Sequence, residues 1–272
     1  MHHTSFKISF VASALLAAST AFASPFGTNI TISDNNYTGT GWYSNREDQE
    51  TEANPGTITN QSWDLEGMFL DSQTLTLVGG YDFKNGVTYN KKTYRSGDIF
   101  IDINGDAKYG QAMNGASGTG GAAVANTFGW DYVLDLNFTT MTYNIISLTA
   151  QSMVLRGTDV ASSNPWTYYS GGTTVATGLA MTYTAGLTNA YTGFQGDTTN
   201  TTTWSTHTND QHYSLAVNIG FLAGKDATFH YTMECGNDNL MGRAHVPDAG
   251  STSLMLGLSL LGFFGLRRKL AK

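Results

Sequence analysis

Ala227-Thr228-Phe229-His230-Tyr231-Thr232-Met233-Glu234-Cys235 alternates at every step. Phe229, Tyr231, Met233 and Cys235 fall on one side of an extended chain, and Thr228, His230, Thr232 and Glu234 on the other. A period of two is the signature of a strand with one face in a core. His212 to Leu222 repeats the pattern, with Tyr213, Leu215, Val217, Ile219 and Phe221 on one face. Related runs stand at Thr74–Val78, Ile99–Ile103, Asp131–Phe138, Thr142–Ala150 and Leu179–Thr184, separated by Gly, Asn and Asp. Many short strands with no amphipathic helix among them predict an all-β fold: a single antiparallel β-sandwich or jelly-roll-like body.

Between the strands, the Gly/Ala/Ser-rich stretch from Asn114 to Asn126 and the Thr-rich stretch from Asp197 to Thr208 read as loops. Four prolines in the chain, and no Pro/Gly linker in its middle, favour one domain. The formal charge is -7 and only 13% of residues are charged, which argues against a nucleic-acid partner. Cys235 is the single cysteine, so no intramolecular disulfide can form. The alternation predicts a buried, inert Cys235 thiol; the rival is an exposed thiol open to crosslinking.

The two ends differ from the body. Lys7 precedes an apolar stretch from Ile8 to Ala18, and Ala21-Phe22-Ala23 has the small-x-small form cut by signal peptidase, so residues 1–23 read as a signal peptide cleaved after Ala23. At the other end, Val246-Pro247-Asp248-Ala249-Gly250 is followed by Ser-Thr, an uncharged Leu/Gly-rich run from Leu254 to Leu266, and Arg267-Arg268-Lys269. That run, as a helix, is roughly 20 Å long. It is short for a bilayer core of about 30 Å and would span it with flanking residues or local thinning. The basic cluster would then stay on the cytoplasmic side as a stop. A C-terminal core helix is the bland alternative. An export signal and a C-terminal transmembrane anchor together place the body outside the inner membrane.

The motif, the apolar run and the basic end resemble the VPDSG-type relative of the PEP-CTERM sorting signal, with Ala249 where serine is usual. The resemblance covers about a tenth of the chain. It implies recognition by an exosortase, insertion in the inner membrane, processing near the motif, and transfer to the cell surface or beyond. Proteins of this kind commonly accompany exopolysaccharide and biofilm. The expected organisation is a signal peptide (1–23), a β body (24–245) and a sorting signal (246–272). Trp63-Asp64-Leu65-Glu66-Gly67, Val78–Phe83, Ser96–Asp102, Trp130–Val133 and Thr232–Asp238 also look like the body of many PEP-CTERM proteins, for which no activity is implied.

Chemistry within the body is sparser. Asp102, Asn104 and Asp106 put three oxygen side chains around Gly105. Hard Ca²⁺ takes such oxygen-rich turns, yet the spacing departs from an EF-hand, since Gly105 comes fourth and Met113 stands at the twelfth place. An Asn-Gly hairpin turn flanked by solvated Asp accounts for the same residues. Asp131 and Asp135, like Asp98 and Asp102, are four apart on a strand and hence about 13 Å apart, too far for a glycosidase pair. No Gly-x-Ser-x-Gly elbow or His-Glu-x-x-His pair occurs. His207 and His212, near Asp210, read as a surface cluster. Trp166 and Trp204 are the candidate sugar platforms, against a default of core or loop-staple roles, while Trp63 and Trp130 adjoin strands and read as buried.

These features predict an exported, surface-sorted protein, not an enzyme and with no required cofactor. Its expected role is structural or adhesive, next to extracellular polysaccharide. A lectin-like glycan-binding module is the first alternative and a glycan-active enzyme the second.

Overall fold

The computed structural model describes residues 24–32, 61–109, 120–161, 163–194 and 210–248. Within them the regular structure is antiparallel β, apart from one short α-helix at Asn189–Thr192 and 3-10 turns at Gln61–Trp63 and Gly220–Leu222. The expected cleavage residues Ala21 and Ala23, the loop residue Trp204, Ala249 and Gly250 of the motif, the apolar run Leu254–Leu266 and the basic cluster Arg267, Arg268 and Lys269 lie outside the described residues. No helix among the described residues is long and apolar enough to cross a membrane.

The strands, in chain order, are β1 (Thr28–Asn29), β2 (Leu65–Asp71), β3 (Thr74–Gly79), β4 (Val87–Tyr89), β5 (Lys92–Tyr94), β6 (Ile99–Asp102), β7 (Ala123–Ala125) and β8 (Tyr132–Asn137). They continue as β9 (Thr142–Ser147), β10 (Met153–Leu155), β11 (Thr167–Ser170), β12 (Thr173–Ala180), β13 (Thr182–Leu187), β14 (His212–Asn218), β15 (Asp226–Thr232) and β16 (Asn239–His245). A five-stranded sheet runs β1-β2-β3-β14-β13 and a six-stranded sheet β12-β9-β8-β6-β15-β16; a smaller one runs β11-β10-β7, and β4-β5 is a hairpin.

The two large sheets share one apolar layer. Leu75, Leu77, Leu215 and Val217 enter it from the five-stranded sheet, and Ile99, Ile101, Leu134, Ile145, Phe229 and Tyr231 from the six-stranded one. Burying side chains of this size contributes about 1.5–3 kcal/mol each, which is why the alternating faces choose this side. The six-stranded sheet also buries its other face. Phe100, Val133, Ile146 and Met241 pack there with Trp130, Leu148 and Val154, under the three-stranded sheet.

That third layer changes the reading of β15. Thr228, His230 and Thr232, the polar side of the alternation, are buried rather than solvated. The run from Leu179 to Thr184 is not one strand either. It breaks at buried Met181, where the chain leaves the edge of the six-stranded sheet as β12 and joins the edge of the five-stranded sheet as β13. The run from His212 stops at Asn218 and gives way to a 3-10 turn at Gly220–Leu222.

On the opposite side the N-terminal segment sews the sheets together. Asn29 pairs with Phe69 in β2, and the Ile30 amide donates to the Met68 carbonyl at 2.9 Å. The Arg243 amide of β16 donates to the Ile30 carbonyl, and the Ile32 amide to the Met241 carbonyl, both at 2.9 Å. The first described residues of the body therefore pair with the strand that leads into the C-terminal motif.

Candidate functional site

β16 delivers the chain to the motif, and the turn between β14 and β15 receives it. The Val246 side chain is fully buried in the main core. Its amide donates to the Lys225 carbonyl at 2.8 Å, and its carbonyl accepts the Gly224 amide at 2.8 Å. The next carbonyl, of Pro247, accepts from Gln73 Nε2 at 3.1 Å. The Ile219 amide donates to the Gln73 carbonyl at 2.8 Å, so one residue holds both the turn and the motif. Gly224 has φ +73°, and a Cβ there would meet an Asp248 carboxylate oxygen at 2.9 Å. Glycine is thus required both for the left-handed backbone and for the close approach of Asp248. Val246, Pro247 and Asp248 accordingly lie against the folded body, and its packing continues past His245.

Elsewhere the polar groups bind layers together. His212 Nδ1 lies 2.8 Å from Glu66 Oε2, both side chains fully buried, and Gln61 Nε2 donates to Glu66 Oε1 at 2.8 Å. His212 Nε2 faces Asn189 Oδ1 at 2.6 Å. His212 is therefore the first core residue of a strand, not part of a surface cluster. The alternation carries no signal for this, because it puts His212 on the face opposite Tyr213 and Leu215, where Glu66 and Asn189 meet it through the fold.

Asp98 is the second tie. Its Oδ1 accepts the Leu136 amide at 2.8 Å, and its Oδ2 accepts the Tyr168 amide at 2.8 Å and the Thr167 hydroxyl at 2.7 Å. Burial pushes its pKa up to about 7 against those three donors, with the charge of Asp135 adding to the rise. The register of β6 on β8, Ile99 opposite Leu134 and Ile101 opposite Tyr132, extends to Asp98 beside Asp135 and Asp102 beside Asp131. Spacing along one strand could not reveal these pairs, because they form between strands.

The acidic turn is a knot of amide donors. Asp102 Oδ1 accepts the amides of Asn104 and Gly105 at 2.9 and 2.8 Å, and Oδ2 accepts that of Ala107 at 3.2 Å. Asn104 Oδ1 accepts the Asp106 amide at 2.9 Å, while Asp131 accepts the Ile103 amide and the Asn104 side-chain amide. Burial, then the charges of Asp102 and Asp106, raise the Asp131 carboxyl above the usual range. The structure thus adds Asp131 to Asp102, Asn104 and Asp106. Among the described residues no group of three or more His, Cys, Asp or Glu is arranged to hold a metal ion.

Of the two candidate sugar platforms, Trp166 is half-buried with its indole nitrogen enclosed. Its carbonyl accepts the Asp98 amide at 2.8 Å, which places it at the seam between layers. Among the described residues the exposed large aromatic side chains are Tyr169 and Tyr191. Trp63 and Trp130 are both buried. Cys235 is buried too, in the main core, and burial pushes its thiol up to about 12.

A search of curated proteins and of solved structures finds no match to this chain. A family model does match its end. Residues 245–270 fit the VPDSG-CTERM motif, so the chain carries a PEP-CTERM-like exosortase sorting signal.

Proposed function

We propose that this is a non-catalytic, exported body that an exosortase delivers to the cell surface or the surrounding matrix, where it serves a structural or adhesive role in exopolysaccharide or biofilm. One observation carries the reading: the sorting signal at 245–270 follows directly from the last strand of a β-rich body. Two large antiparallel sheets around a shared apolar layer support a sandwich-like body, a scaffold suited to display of loops and edges at a surface. In this reading a signal peptide directs export, the apolar run Leu254–Leu266 anchors the chain in the inner membrane, and Arg267–Lys269 stay on its cytoplasmic side until processing.

The buried ionisable groups support a scaffold more than a catalyst. Asp98 accepts hydrogen bonds from two strands, and His230 is sealed between layers, its Nε2 2.7 Å from the Pro165 carbonyl. A glycan-binding module is the second reading, favoured by exposed Tyr169 on β11. A pull-down of the purified body on the producer's own polysaccharide tests both. Retention that free sugar releases and that Tyr169→Ala abolishes supports the binding module. Retention indifferent to both supports an adhesive scaffold, and no retention at all counts against a role beside polysaccharide.

A further inference from the structure

We propose that the processed protein keeps Val246, Pro247 and Asp248, and that the exosortase cut falls C-terminal to Asp248. The proposal rests on the exosortase reading and adds the position at which the body ends. A peptide bond must be drawn out as an extended segment, with its neighbours free, before an enzyme can surround it. The bonds on either side of Val246 are not free in this sense. The side chain of Val246 is fully buried in the main core, its amide is held by the Lys225 carbonyl and its carbonyl by the Gly224 amide. The Pro247 carbonyl is held by Gln73 Nε2, and the Asp248 carboxylate lies over Gly224.

Cutting before or within this segment would require opening the turn that carries Gly220–Leu222, which belongs to the same core through Ile219 and Leu222. A cut C-terminal to Asp248 leaves every one of these contacts in place. The first three residues of the motif then act as a latch that stays with the body, and the enzyme reads the motif in a chain whose fold is already closed. In the reaction one peptide C–N bond breaks. A nucleophile, water or an amine, adds to the carbonyl carbon and gives its proton to the departing nitrogen, which becomes the new amine of the tail fragment.

The test is the C-terminus of the mature protein made by its native producer. Trypsin cuts after Arg243, and the next lysine or arginine is Arg267, so the informative peptide begins at Ala244. Mass spectrometry of that peptide, searched with and without an added amine, is expected to find an end at or beyond Asp248. A peptide ending at His245, Val246 or Pro247 would overturn the latch while leaving the exosortase reading intact. An uncut Ala244–Arg267 peptide in the released protein would overturn the exosortase reading and the latch with it.

Discussion

The imidazole of His230 lies against the indole of Trp130, with ring centroids 5.4 Å apart and planes 18° from parallel. The stack fills the layer between the six-stranded sheet and the three-stranded sheet that covers it. Burial lowers the His230 pKa to about 4, although the Pro165 carbonyl pulls it upward. The ring is therefore neutral in the folded protein at pH values where it would be charged in the unfolded chain.

Two buried groups give opposite pH dependences, and this yields the first prediction. For His230 the folded pKa of about 4 lies below the ordinary value of 6.5, so its contribution is complete above 6.5 and is lost as pH falls toward 4. For Asp98 the folded pKa of about 7 lies above the ordinary value of 3.8, so its contribution is complete below 3.8 and is lost as pH rises toward 7. Each effect is on the order of 3–4 kcal/mol and the two oppose one another between pH 4 and 6.5. Urea unfolding of His230→Gln should show stability falling more steeply with rising pH than in the wild type. Asp98→Asn should tilt the curve the other way. The slope is the readout, so a general loss of stability in either variant leaves the comparison valid. Three parallel curves would show that neither group titrates as described.

Cys235 gives the second prediction. Its thiol is enclosed in the main core, and burial pushes it up to about 12. An aromatic disulfide reagent should label the folded body slowly at pH 8 and rapidly in denaturant, since only the thiolate reacts. Fast labelling of the folded protein, or a dimer that collapses on reduction, would place the sulfur at the surface instead.

The alternation from Ala227 to Cys235 made the inner face of β15 legible, because Phe229 and Tyr231 belong to a period any extended chain obeys. It could not disclose that His230 and Thr232 are buried as well. Their cover comes from residues 123–168, far away in sequence, and a polar face reads the same whether water or a third layer lies over it. The break at Met181 was hidden for a related reason: Leu179–Thr184 has strand composition on both sides, and only the two sheet edges show that it bends. The sorting motif was legible because it is a linear signal. The docking of Val246 and Pro247 was not, because it depends on Gly224, Lys225 and Gln73, brought together by the fold.

Asp102 gives the third prediction. Replacing it by alanine removes the acceptor for three amides, those of Asn104, Gly105 and Ala107, and should cost about 1–3 kcal/mol. Since those bonds close the turn without an ion, the loss should be equal in chelator and in millimolar Ca²⁺. A wild-type melting temperature that rises with Ca²⁺, with the rise abolished in Asp102→Ala, would show that the carboxylate binds calcium instead, as mass action requires of a native-state ligand.

Sorting gives the fourth prediction. In a producer strain lacking its exosortase, fractionation and immunoblotting should find the protein with its full tail in the membrane fraction, while the parent strain yields a shortened form at the surface or in the medium. Equal amounts of the same shortened, released form with and without the enzyme would contradict the claim that the motif at 245–270 directs its processing.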